Sequence, residues 1–201
     1  MSGTMTSVLY RVEFAGGGQR FVAVERVEGP SAAWSLQIDA TDGLESLLGR
    51  GYLRSLDDDL ILLFTEGEHL RTGAAYNHKV HRITRDGRVL WTIRARPVGD
   101  PMLYGGLLLL PVAPVAPRLA EHVPPALQLQ VRDPECGALR ASFPIHAPPG
   151  LQPAYRHAAR SLGARLSPAP QGVHVAVSAW FTGALAPPRG AGEFDVLITL
   201  D

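Results

Sequence analysis

The chain has 201 residues, 46% of them hydrophobic and 19% charged, with 21 glycines and 17 prolines. That composition excludes intrinsic disorder and leaves room for one substantial core built from many short elements. Acidic and basic residues balance at 19 each, so no long-range field draws the protein to nucleic acid or to an anionic membrane.

The sole cysteine, Cys136, rules out an internal disulfide and a cysteine-based zinc site. MSGTMTS at the start lacks the basic and apolar stretches of a secretory signal. The longest apolar run, from Leu107, is broken by prolines and too short to span a bilayer. A reducing cytoplasm is the expected location, with no membrane partner.

In chain order, the first segments are VLYRVEF (8–14), a glycine turn at 16–18, FVAVERV (21–27), the connection 28–33, LQIDATDG (36–43) and LESLL (44–48). The same order returns as YLRSL (52–56), the acidic turn 57–59, LILLFTEG (60–67), the connection 66–76, VHRITRDG (80–87) and RVLWTIRA (88–95). It returns again as PMLY (101–104), Gly105-Gly106, LLLLPVAP (107–114), the connection 113–126, LQVRDPECG (129–137) and ALRASFPI (138–145). QPAYRHAARSLG (152–163) has a first-turn proline and a terminal glycine, which predicts one short helix near 153–162. A fourth copy, ARLSPAP (164–170), VHVAVSAWF (173–181) and EFDVLITL (193–200), stops before its last strand.

Apolar runs separated by Asp-Gly and Gly-rich turns are hairpin signals. The expectation is therefore an all-β, β-propeller-like single domain of four degenerate four-stranded antiparallel meander units. These units cover approximately 8–48, 52–95, 101–145 and 164–201. The last unit leaves strand 193–200 with a free edge. Residues 8–14 are expected to cover it, in the same chain or in a second copy, so self-association through the C-terminal strand is anticipated.

HRITRDGRVLWTIRA, and more loosely LQIDATDG, resemble the repeats of quinoprotein-type (PQQ-like) β-propellers, in which a strand, Asp and Gly lead to a short strand ending near a Trp. Trp91 takes that place in the second copy, with Leu47 or Leu48 and Phe143 in the first and third. The resemblance implies a fold. The quinone-binding set of that family's enzymes has no counterpart here, and no cofactor is expected.

The connections between second and third strands are longer than the other turns, which predicts one elaborated rim. Candidate partner contacts there are His69, Arg71, Tyr76, Arg118, His122, Tyr155, Arg156 and Arg189. His78 and His81 lie three apart, so on a regular strand they face oppositely and make a poor metal pair. Asp57, Asp58 and Asp59 lack the spacing of a calcium loop and read as a tight turn. Trp34, Trp91 and Trp180 fall in predicted strands, where sheet packing accounts for them. Gly16-Gly17-Gly18 precedes a strand and is followed by no Lys-Ser/Thr, so it is no phosphate loop. Cys136 has no basic neighbour in its turn, and Ser161 and Ser178 lack a nucleophile elbow.

These features favour a non-catalytic binding or scaffold protein that holds a protein partner on its rim. Nucleic-acid binding through Arg156, Arg160 and Arg165 is an alternative disfavoured by the zero net charge. An enzyme with an axial pocket ranks last.

Overall fold

The computed structural model describes residues 8–14, 21–28, 31–39, 46–57, 60–69, 75–113, 126–151, 162–179 and 193–200. Every regular element among them is a β-strand, and every ladder within the sheets is antiparallel. No helix among the described residues is long and apolar enough to cross a membrane.

Four open sheets follow one another along the chain. The first holds β1 (Val8–Phe14), β2 (Phe21–Glu28) and β3 (Ser31–Asp39). The second holds β4 (Ser46–Ser55), β5 (Ile61–His69), β6 (Ala75–Ile83) and β7 (Val89–Arg94). In the third are β8 (Met102–Tyr104), β9 (Leu107–Val112), β10 (Leu127–Arg132) and β11 (Leu139–Ile145). The fourth has β12 (Leu162–Ala169), β13 (Gly172–Ala179) and β14 (Glu193–Thr199). Each sheet pairs its strands in sequence order. The chain divides into two compact units, residues 1–95 with 135–137, and residues 96–134 with 138–201.

Three sequence expectations need correction. Residues 44–48 and 52–56 were expected as separate strands of two units. Ser46–Ser55 is instead one strand, β4, paired along its length with β5. Among the described residues the first sheet therefore has three strands, and β3 and β4, on either side of Gly43 in the chain, belong to different sheets. Apolar residues on both sides of Gly49 and Gly51 let the ladder run on through a stretch that looks like a linker. Second, the expected long loop 28–33 is a two-residue connection, because β2 runs to Glu28 and β3 starts at Ser31.

Third, the helix expected near 153–162 lies mostly outside the described residues, but its end is wrong. Leu162 and Gly163 begin β12, opposite Ala179 and Ser178. Pairing with a valine-rich neighbour outweighs the local cap signal. Residues 8–14 form β1, laddered to β2, and β14 is laddered to β13; no third strand covers β14 among the described residues.

Within the first unit, Ile61, Leu63 and Ile83 form a buried cluster against Trp34, Leu36 and Leu53. The indole of Trp34 lies on Gly87, and its Nε1 donates to the Arg85 carbonyl at 2.7 Å. A Cβ at Gly87 would stand 2.7 Å from the ring, and φ there is +83°. Glycine is required on both counts. Trp91 has the same relation to Gly137, where φ is +72° and a Cβ would stand 2.8 Å from the indole. In each case the tryptophan sits near the start of a sheet's last strand, and the glycine closes the next third-to-fourth-strand turn along the chain. By this criterion β3 takes the place of last strand in the first sheet.

The second unit has the larger described core, with Leu109, Leu127, Leu129 and Val131 of the third sheet against Val173, Val175, Val177 and Ile198 of the fourth. The segment that leads into β8 lies beside β12: Ala164 N donates to Val98 O at 2.7 Å near the start of β12, and the Tyr104 hydroxyl, at the end of β8, donates to Ala169 O at 3.3 Å. Gly99 and Ala164 form a parallel bridge so close that a Cβ on Gly99 would lie 1.9 Å from the Ala164 oxygen.

Candidate functional site

The parallel bridge fixes which ends of the two sheets coincide in the second unit. Pro97 bridges Val112, the last residue of β9, while Gly99 bridges Ala164 near the start of β12. Leu162 in turn faces Ala179 at the end of β13. The chain therefore leaves β9 and β13, and enters β12, at the same end of the unit. The connections 114–125, 152–161 and 180–192 depart there, and they hold Arg118, His122, Tyr155, Arg156 and Arg189. At the opposite end stand the short links Gly105-Gly106 and Pro170-Gln171.

In the first unit, His69 closes β5 opposite Ser46, and Tyr76 lies in β6 opposite Gly67. They flank connection 70–74, which holds Arg71. Arg71, Arg118, His122, Tyr155, Arg156 and Arg189 are outside the described residues, as are Arg160, Ser161, Trp180 and the glycines 16–18. Arg165, named for nucleic acid, is exposed on β12.

Sequence reasoning missed a buried polar group in the second sheet. His81 is 2% exposed; its Nε2 lies 3.1 Å from Thr65 Oγ1 and its Nδ1 2.9 Å from Thr92 Oγ1. The three strands β5, β6 and β7 each give one member. Burial, aided by the nearby Lys79 ammonium, lowers the His81 pKa from 6.5 to about 4. The ring is neutral at neutral pH, and both nitrogens are engaged with hydroxyls that donate to one and accept from the other. Such an imidazole is too weak a base for general-base work near pH 7 and serves to join strands.

Lys79, the only lysine in the sequence, is also buried. The readable signal was alternation: Lys79, His81 and Ile83 share a strand face with Ile61 and Leu63, so polar groups fall where the pattern demands apolar ones.

Other charges support turns. Buried Arg82 reaches the exposed Glu135 carboxylate at 2.9 Å, within the first unit. Asp57 Oδ1 accepts from Leu60 N at 2.6 Å, so the acidic run at 57–59 ties its own turn through Asp57. In the β6–β7 turn, the Thr84 hydroxyl holds the Asp86 carboxyl below its ordinary pKa, with Arg88 2.8 Å away adding to the effect. Arg140 bonds to Asp133 across the β10–β11 turn. Desolvation lowers the Arg132 pKa, yet a guanidinium stays charged, and its Nε donates to Gln130 Oε1 at 2.9 Å. Cys136 is exposed. Among the described residues no group of three or more His, Cys, Asp or Glu is placed to hold a metal ion.

A scan against protein-family models and a search of curated proteins gave no match for this sequence.

Proposed function

We propose that this is a non-catalytic binding or scaffold protein on a propeller-like framework of quinoprotein-type (PQQ-like) repeats. Its partner, a protein, is held at the end of the sheets from which the long connections leave. The observation that supports this most is the parallel Gly99–Ala164 bridge, because it gathers the exits of three long connections at one end of the second unit. Those connections contain Arg118, Arg156, Arg160 and Arg189 against a single acid, Glu121. A chain with no net charge thus concentrates cations in its longest connections, which suits a partner surface bearing carboxylates. The repeated tryptophan–glycine contact supports the repeat framework.

The test is affinity capture from lysate with the wild-type chain and with a variant carrying Arg118→Ala, Arg156→Ala and Arg189→Ala. The proposal expects a protein retained by the wild type and lost by the variant, with melting temperatures equal. Equal retention by both, or a variant that melts much earlier, contradicts it. A mobility shift of nucleic acid at micromolar protein and moderate salt would replace the protein partner with nucleic acid.

A further inference from the structure

We draw no further inference here: the strongest candidate, the exposed face of the fourth sheet with Arg165, His174, Asp195 and Leu197, carries nothing because nothing in the structure shows what covers it.

Discussion

The second strand of the second sheet and the second strand of the fourth sheet look like copies of one another, and they live in different surroundings. In β5, Ile61, Leu62, Leu63, Phe64 and Thr65 are all buried, so both faces are covered. In β13, Val173, Val175 and Val177 are buried while His174 and Ala176 are exposed. A continuous apolar run marks a strand enclosed on both sides, and strict alternation marks a strand with one wet face. Among the described residues, the fourth sheet therefore turns one face of β13 to solvent.

Substitutions in the two strands test this contrast. The largest effects belong to β5. Leu62→Ala and Leu63→Ala point to opposite faces, and each should cost about 3 kcal/mol in urea unfolding. If only one of them is costly, β5 is not enclosed on both sides. Acid should expose the buried polar group of the same sheet. His81 titrates near 4 in the fold against 6.5 in the unfolded chain, so between those values the unfolded chain binds the extra proton. Stability is full above pH 6.5 and falls as pH drops to about 4, by about 3 kcal/mol. His81→Gln should flatten that part of the profile, and an equally steep variant would assign the loss to other groups.

Smaller effects separate glycines under an indole from glycines in the open. Gly87→Ala and Gly137→Ala combine a left-handed φ with displacement of a ring and should cost about 2 kcal/mol each. Gly105→Ala, where nothing lies within 4 Å of the added carbon, should cost about 1 kcal/mol from backbone strain alone. Equal costs at the three positions would mean that the rings contribute nothing. The smallest change is expected on β13: His174→Ala on the wet face should stay within about 0.5 kcal/mol. A larger loss would show that something covers that face.

Much of this fold was legible in the sequence because period-two patterning and Asp-Gly or Gly-Gly turns act locally. The hairpins at Gly87, Gly105-Gly106, Gly137 and Gly172 follow from them. The boundary between the first and second sheets does not. Asp42-Gly43 looks like the turn at Asp86-Gly87, but whether the strands on each side of a glycine belong to one sheet or to successive ones is decided only by long-range pairing. Trp34 carried the missing information: it takes the role that Trp91 takes one sheet later. The His81 group was hidden for a related reason, since its three members are distant in sequence and meet only when β5, β6 and β7 are in register. The candidate rim was legible as connection length and charge, while the coincidence of its exits depended on Gly99 meeting Ala164.

The account rests on the recurrence of one contact, an indole laid over the glycine of the following turn, and the α-proton shifts of Gly87 and Gly137 report on it directly. Ring currents should move both resonances upfield of the other glycines; Trp34→Leu should return only Gly87 to the ordinary range, and Trp91→Leu only Gly137. Ordinary shifts for either glycine in the wild-type protein, or shifts that ignore the loss of the matching tryptophan, would contradict the repeat.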